Sequence, residues 1–214
     1  MRPFTRAGKK RAGPMLLKKQ ARVTGVVLAG GLSSRMGHDK ALLRLDNGES
    51  ANLLARTVNL LQDVCGRAIV IGRVQDGYTC VPDAAPGCGP VGGIATALEH
   101  CLGSACLVLS CDLPFMERSV LENLIEQRNR RPAGTHVTAY RQEDSGHIAA
   151  LVAIYEPECL PYFHICVNEK LLKISRVVPP HPQHFGPYPA KDLPPFFHRN
   201  SPDDLEGAVR LLST

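Results

Sequence analysis

The stretch GVVLAGGLSSRMGHDKALL, residues 25–43, begins as a buried strand and changes character within a few residues. Its apolar run ends at Gly30 and Gly31, and Arg35 and Lys40 follow shortly after. Glycines have no Cβ and let backbone N–H groups converge on an anion, while the two cations add full positive charge. The stretch therefore predicts a phosphate-binding loop that directly follows the first strand of an α/β fold.

Strands and helices alternate along the rest of the chain. Continuous apolar runs at 23–28, 67–72 and 105–110 predict buried strands, and apolar residues at helical spacing predict helices between them. HVTAY and HIAALVAIY, at 136–140 and 147–155, predict two more strands. Buried strands that alternate with helices indicate a mostly parallel sheet covered on both faces.

The charge of the chain is concentrated at its start. Residues 1–22 contain eight Lys and Arg and no acidic residue, which leaves 17 cationic and 20 acidic residues and a charge of −3 in 23–214. We expect a basic, disordered tail at 1–22, with RNA binding or targeting as the alternative, and a single domain at 23–214. The acidic balance of that domain argues against a nucleic-acid binder. No apolar run is long enough for a membrane span or a secretory signal, so we expect a cytoplasmic protein.

Two other features of the composition, the prolines and the cysteines, lead to structural predictions. Seven prolines fall within residues 179–195, and this density predicts an ordered loop or cover without regular structure. The eight cysteines lack the C-x2-C pairs of structural zinc sites, and several lie inside apolar runs. We expect free thiols that serve mostly as small core residues.

Two acidic residues follow other predicted strands, at the edge where such sheets bind ligands. Asp112 comes directly after the strand at 105–110 and suits a carboxylate that holds Mg²⁺, with an N-cap of the next helix as the alternative. Asp83 is a second candidate carboxylate, and a turn aspartate is its alternative. The carboxyl edge of the sheet is therefore the predicted site.

The segment 87–92 also fits G-x-G-x-x-G, with Asp112 twenty residues beyond it. This is the spacing of a dinucleotide-binding fingerprint with its ribose-binding acid. Pro82 and Pro86 interrupt the strand that the fingerprint needs before its turn. A dinucleotide site would also leave the loop after the first strand without a role, so the sequence favours the phosphate loop.

Four segments together resemble a known family. LAGGLSSRMGHDKALL resembles the signature of molybdenum cofactor guanylyltransferases, and GPVGGIATAL, SCDLPF and FFHRNSPDDL resemble later segments of the same family. The likeness spans roughly residues 23–212. It implies a three-layer α/β/α nucleotidyltransferase fold related to the dinucleotide-binding fold. It also implies Mg²⁺-dependent transfer of GMP from GTP to molybdopterin, with molybdoenzymes or their chaperones as possible protein partners.

The resemblance also implies roles for individual residues. Arg35 and Lys40 hold the triphosphate, Asp112 coordinates the metal and Asp83 helps to place the nucleotide. The base and ribose are implied to lie against a further set: Leu28, Ala29, Gly30, Gly31, Gly92 and Gly93.

The acceptor side is less defined. Asn200 in the closing segment is implied to approach the site from the side of molybdopterin. His147, before the strand at 147–155, is a candidate to face the acceptor, and a histidine at the sheet end without that role is the alternative.

Three other functions stay open. A cytidylyltransferase for molybdopterin is one, although its relatives usually show LAAG where this chain has LAGG. A transferase for another phosphorylated acceptor is the second. The third is a carrier without catalysis, which would not need Arg35, Lys40 and Asp112 together.

Overall fold

The computed structural model describes residues 22–30, 52–178, 183–188 and 196. Gly31, Arg35, Lys40 and Asn200 lie outside the described residues, as does the predicted tail apart from Arg22. Within the described ranges, no helix is both long and apolar enough to cross a bilayer.

These ranges contain seven strands and five α-helices. The strands are β1 (Val23–Leu28), β2 (Ala68–Ile71), β3 (Cys80–Val81), β4 (Ala105–Ser110), β5 (Val137–Gln142), β6 (Ile148–Tyr155) and β7 (Gln183–Tyr188). The helices are α1 (Leu53–Cys65), α2 (Gly89–His100), α3 (Arg118–Arg130), α4 (Leu160–Asn168) and α5 (Ile174–Val177). The strands predicted from continuous apolar runs are confirmed.

All seven strands join one sheet in the order β3-β2-β1-β4-β6-β5-β7. The pairs β1–β2, β1–β4, β2–β3 and β5–β7 are parallel. Strand β6 is antiparallel to both of its neighbours, β4 and β5. The sheet is therefore mostly parallel, and β6 alone among these strands presents its first residues at the edge where the others end.

The sheet is the middle layer of three. Helices α2 and α4 pack on one face, where Val26, Ile94 and Phe163 are buried. Helices α1 and α3 pack on the other face against Val27 and its neighbours. Successive residues of a strand point to opposite faces, so the two adjacent valines of β1 serve both cores. The predicted three-layer fold is confirmed, and five of the eight cysteines are buried in it.

The prediction that residues 179–195 lack regular structure is wrong. Residues Gln183–Tyr188 form β7, which pairs in parallel with β5 and lies last in the sheet order. Proline has no backbone N–H to donate. An edge strand tolerates this loss because no strand lies on its outer side to accept a hydrogen bond there. Pro187 lies opposite Arg141 in this edge pair.

A buried ion network ties α3 to the end of β6. The Arg128 guanidinium donates from Nε and an Nη to the two oxygens of Glu156, at 2.6 and 2.8 Å. Arg131 lies 3.1 Å from the same carboxylate. The side chains of Arg128 and Glu156 are only 2% and 5% exposed, so neither charge has water as an alternative partner.

Replacing Glu156 with glutamine should destabilise the protein strongly. The buried Arg128 would lose its counter-charge, and breaking a buried pair on one side costs about 3 kcal/mol or more. Urea unfolding measures the loss. Glu122→Gln is the matched control, because Glu122 pairs with Arg118 on the exposed face of α3. That variant should keep the wild-type midpoint, and equal losses in both variants would contradict the prediction.

Candidate functional site

The candidate site lies at the point in the sheet where the order in which strands are added changes from one side of β1 to the other. From β1 the chain crosses by α1 to β2 on one side, and from β3 it crosses by α2 to β4 on the other side of β1. Ligands of such sheets bind beyond the carboxyl ends of the strands at this point. A cavity of about 70 Å³, here called the switch-point cavity, occupies that position, and its lining residues are Leu28, Gly30, Ile71, Asp83, Gly89, Pro90, Gly93, Ser110 and Leu151.

Gly30, which lines this cavity, is in close backbone contact with Gly72 at the end of β2. A Cβ built on Gly72 would lie 2.7 Å from the Cα of Gly30, and one built on Gly30 would lie 3.0 Å from the Cα of Gly72. Gly72 also has φ +81°, a conformation that other residues adopt only with strain. The Ala29 N–H donates to Ile71 O at 3.1 Å and holds the two strand exits at this distance.

The two glycines predicted in α2 have different surroundings. Gly93 lines the cavity, and a Cβ there would come within 3.0 Å of Leu28 Cδ2. Gly92 faces the preceding loop instead, since its Cβ would lie 2.7 Å from Ala85 O. Gly93 therefore keeps space open beside β1, and Gly92 lets the loop that carries Asp83 pack against the helix.

Asp83 is fixed by its own loop and by α2. Its Oδ1 accepts from the Ala85 N–H at 2.9 Å and lies 3.2 Å from the Thr96 hydroxyl. The Thr96 Oγ1 also accepts from the Ala84 N–H at 3.0 Å and can donate to Gly92 O at 3.0 Å. Within the described residues Oδ2 of Asp83 has no hydrogen bond. Asp83 is thus both a turn residue and an oriented carboxylate at the cavity.

Helix α2 begins at the cavity with an uncompensated positive end. Gly89 and Pro90, its first residues, line the cavity. The N-cap residue Cys88 makes no side-chain capping bond, and the first turn contains no acidic residue. The free N–H groups and the helix dipole at this end favour negative charge.

Asp112 does not line the cavity; it follows the lining residue Ser110 of β4 by two residues. Its side chain is half-buried at the start of the turn that leads to α3. Glu117, not Asp112, takes the N-cap position of that helix, so the N-cap alternative for Asp112 is wrong. Among the residues that the structure covers, no three His, Cys, Asp or Glu side chains form a metal-binding group on their own.

A second cavity lies next to the first, where β6 is bulged. Ala139 pairs with Ala153, and the next pair is Arg141 with Ile148. Between these two pairs β6 spans five residue steps and β5 only two, so β6 carries the extra residues. The Tyr155 hydroxyl donates to Ala150 O at 2.8 Å and supplies a partner to a carbonyl of the bulge. A bulge of this kind redirects side chains and interrupts pairing.

This second cavity, here called the bulge cavity, has a volume of about 350 Å³. Residues 148–152 of β6 form one wall of this cavity. Its other lining residues are Gln142, His147, Ile174, Ser175 and Phe196. The predicted acceptor residue His147 is exposed at the hairpin between β5 and β6 and lines this cavity. Leu151 lines both cavities.

The structure thus brings together part of the predicted set. Leu28, Gly30, Asp83 and Gly93 line the switch-point cavity. Ala29 and Gly92 do not line it; Ala29 packs toward the core of α1 and α3. Five further lining residues were not predicted from the sequence: Ile71, Gly89, Pro90, Ser110 and Leu151. The first four lie in or directly beside the predicted strands and motifs, whereas the bulge that places Leu151 has no sequence signature.

Comparisons with known proteins point to one family. Residues 25–185 match the MobA-like NTP transferase domain. A relative from Pelotomaculum thermopropionicum, named "Probable molybdenum cofactor guanylyltransferase", is 36% identical over 142 residues, which are 64% of this chain and 65% of the relative. One of the same name from Chloroflexus aggregans is 27% identical over 205 residues and covers 90% of this chain and 96% of the relative.

A solved structure shares the fold. The crystal structure of molybdopterin-guanine dinucleotide biosynthesis protein A from Archaeoglobus fulgidus superposes with a TM-score of 0.67 at 23% identity. The superposition covers 89% of this chain and 98% of that chain. The three-layer arrangement is therefore shared almost over the whole length of that protein.

Substituting alanine for Gly72 should test the contact between the two glycines. Gly77→Ala is the matched control, because Gly77 has φ +85° but no atom within 4 Å of a built Cβ. The control should lose about 1 kcal/mol through backbone strain. Gly72→Ala should lose about 2 kcal/mol more, because its Cβ meets backbone that cannot move aside. Urea unfolding measures both, and equal losses would show that the close approach is unimportant.

Proposed function

The chain belongs to the MobA-like NTP transferase family, and we propose that it transfers GMP from GTP to molybdopterin, forms the guanine dinucleotide cofactor and releases pyrophosphate. The switch-point cavity carries the proposal, since Gly30, Asp83 and Gly93 line one recess at the carboxyl ends of parallel strands. The names of the relatives from Pelotomaculum and Chloroflexus support the acceptor.

In this reaction an oxygen of the molybdopterin phosphate attacks the α-phosphorus of GTP. A new P–O bond forms there, the bond from the α-phosphorus to the bridging oxygen breaks, and pyrophosphate leaves with that oxygen. Two polyanions that repel each other must be held in line, so the work of the protein is positioning and charge neutralisation. A single well-aimed donor or cation is worth on the order of 3 kcal/mol in such a transition state.

The described residues would hold one part of the nucleotide. A cavity of about 70 Å³ is too small for a whole triphosphate nucleotide. The recess between Leu28 and Gly93 would take the ribose or base edge, and Asp83 would accept hydrogen bonds from it. The positive end of α2 would favour the phosphates. Gly31, Arg35 and Lys40 follow β1 directly along the chain, and we propose that they hold the triphosphate.

The acidic residues of the site fit a magnesium ion. Mg²⁺ prefers oxygen ligands and usually takes one or two protein carboxylates, with water and substrate phosphates as the remaining ligands. Asp112, beyond the end of β4, would be its protein ligand, so three clustered side chains are not required. When bound, the ion would neutralise negative charge on the phosphate oxygens.

The bulge cavity is our candidate for the acceptor. It shares the lining residue Leu151 with the switch-point cavity, so substrates in the two cavities would be neighbours. His147 lies at its rim, and we propose that Asn200 completes this side. Molybdoenzymes or their chaperones as recipients, and a cytoplasmic location, stay predictions from the sequence.

Product analysis tests this function. The protein is incubated with Mg²⁺, molybdopterin and each of the four nucleoside triphosphates, and the dinucleotide is identified by mass spectrometry. GTP should give the guanine dinucleotide with release of pyrophosphate. Asp112→Ala should lower the rate on the order of a hundredfold or more, because the metal would lose its protein ligand while the core stays intact.

Asp63→Ala is the control for this variant, since Asp63 is exposed on α1. It should retain the wild-type rate. A cytosine dinucleotide as the main product would support the cytidylyltransferase, and bound nucleotide without any transfer would support the carrier. Normal turnover by Asp112→Ala would contradict the assigned role.

Thr96→Val should separate nucleotide placement from chemistry. Valine matches the shape of threonine but removes the hydroxyl between Asp83 and Ala84, so the KM for GTP should rise about tenfold with kcat little changed. Thr96→Ser should restore the KM. Thr57→Val is the control, since the buried Thr57 hydroxyl bonds Leu53 O in α1 in the same helical pattern. An equal effect of both valine substitutions would mean that Thr96 acts on stability alone.

A further inference from the structure

Ser110, the last residue of β4, is a polar side chain in the wall of the switch-point cavity that the proposed function does not use. The residue is half-buried, and its hydroxyl makes no hydrogen bond within the described residues. The hydroxyl oxygen is not one of the buried unpaired atoms, so it keeps accessible surface. A hydroxyl can both donate and accept, and this one is free to do so with a ligand.

The alternation along β4 points the Ser110 side chain to the face of the sheet that α2 covers. Cys106 and Val108 belong to the core that packs against α2 and α4, whereas Leu107 and Leu109 belong to the core on the other face. Successive residues of a strand point to opposite faces, so Ser110 follows Cys106 and Val108. Helix α2 begins at the cavity on this same face. The hydroxyl therefore faces the cavity.

Ser110 is the polar member of a row of side chains that crosses the sheet at its carboxyl edge. Leu28 of β1 lies opposite Ile71 of β2 on one side and opposite Ser110 on the other. Leu151 of β6, one residue beyond the last pair of β4 and β6, completes the row. All four residues line the cavity. Three of them are aliphatic and can only pack against a ligand, so Ser110 is the member of the row that can form a hydrogen bond.

Asp83 supplies a second polar side chain to the same cavity, from the loop after β3. Its Oδ2 makes no hydrogen bond within the described residues. Apart from Asp83 and Ser110, the residues that line the cavity are aliphatic, glycine or proline. A small apolar recess with a few polar groups orients its ligand through those groups. A carboxylate accepts and a hydroxyl does both, so the pair suits a ligand that carries hydroxyl groups.

The features that favour phosphate indicate which part of a nucleotide enters this recess. The start of α2, with its free N–H groups, lines the cavity, and the proposed metal ligand Asp112 follows Ser110 by two residues. In a nucleotide the ribose is joined to the α-phosphate through a single CH₂ group, and the base lies on the far side of the ribose. Phosphates held at this end therefore bring the ribose next to Ser110.

We propose that the Ser110 hydroxyl forms a hydrogen bond with a ribose hydroxyl of the nucleotide and thereby selects ribonucleotides over deoxyribonucleotides. The inference rests on the proposed function, because it takes a nucleoside triphosphate as the ligand of the switch-point cavity. It adds the group that recognises the sugar, which differs from the groups that hold the phosphates or the metal. A site built to bind a substrate hydroxyl rejects an analogue without it, because the protein group is then left unpaired.

Calorimetric titration of the full chain with GTP, 2′-deoxyGTP and 3′-deoxyGTP, in the presence of Mg²⁺, tests the sugar contact without the transfer reaction. The wild type should bind at least one of the deoxy analogues about tenfold more weakly than GTP, the effect of one lost hydrogen bond. Ser110→Ala should raise the Kd for GTP about tenfold and abolish the preference for GTP over that analogue. The analogue that loses its disadvantage identifies the ribose hydroxyl that Ser110 contacts.

Two further variants serve as controls. Ser110→Thr keeps the hydroxyl and should keep the preference for GTP. Ser104→Ala removes the side-chain hydroxyl of the residue that precedes β4 at the opposite edge of the sheet, and it should bind all three nucleotides as the wild type does. A wild type that binds the three nucleotides equally, or an unchanged preference in Ser110→Ala, would overturn the inference.

The transfer assay separates this inference from the proposed function. If the wild type forms the guanine dinucleotide but Ser110→Ala keeps the preference for GTP, the inference is wrong and the function stands. If the preference depends on Ser110 but the wild type forms no dinucleotide, the sugar contact stands and the transfer function is wrong. If none of the three nucleotides binds to the wild type, both are wrong.

Discussion

The contact between Gly30 and Gly72 is the constraint on which the site depends. These residues leave adjacent strands at the carboxyl edge, and a Cβ on Gly72 would lie only 2.7 Å from the Cα of Gly30. Gly30 lines the switch-point cavity together with Leu28 and Ile71, the last residues of the two strands. A larger residue at Gly72 would press on Gly30 and change the part of the cavity wall that the nucleotide is proposed to contact.

The fold could be predicted from the sequence because its central strands are buried on both faces. Such strands are continuous apolar runs, and the run before Gly30 ends where the structure ends β1. Strand β7 could not be found in this way, since it has a proline on each flank and one within it and takes its place through pairing with β5. Pairing of an edge strand depends on a partner that is distant in sequence.

The two cavities of the site also differ in how far their residues could be predicted from the sequence. Asp83, Gly93 and Asp112 follow or open elements with clear local signals, so their place at the carboxyl edge could be predicted. Gln142 and Leu151 could not, because both depend on the register shift between β5 and β6. Within the sequence they are a polar strand end and an ordinary apolar residue of a strand. The position of Leu151 in the walls of both cavities follows only from the extra residues that β6 inserts there.

The reversed direction of β6 explains why two cavities adjoin. The parallel strand β4 ends at the carboxyl edge and leaves it through a short turn toward α3. The antiparallel strand β6 begins at this edge, and its first residues, 148–150, extend beyond the end of β4. Strand β6 directly follows β4 in the sheet order, next to the switch point. Its bulged start therefore forms a second cavity beside the first, which is the arrangement that transfer between two bound substrates requires.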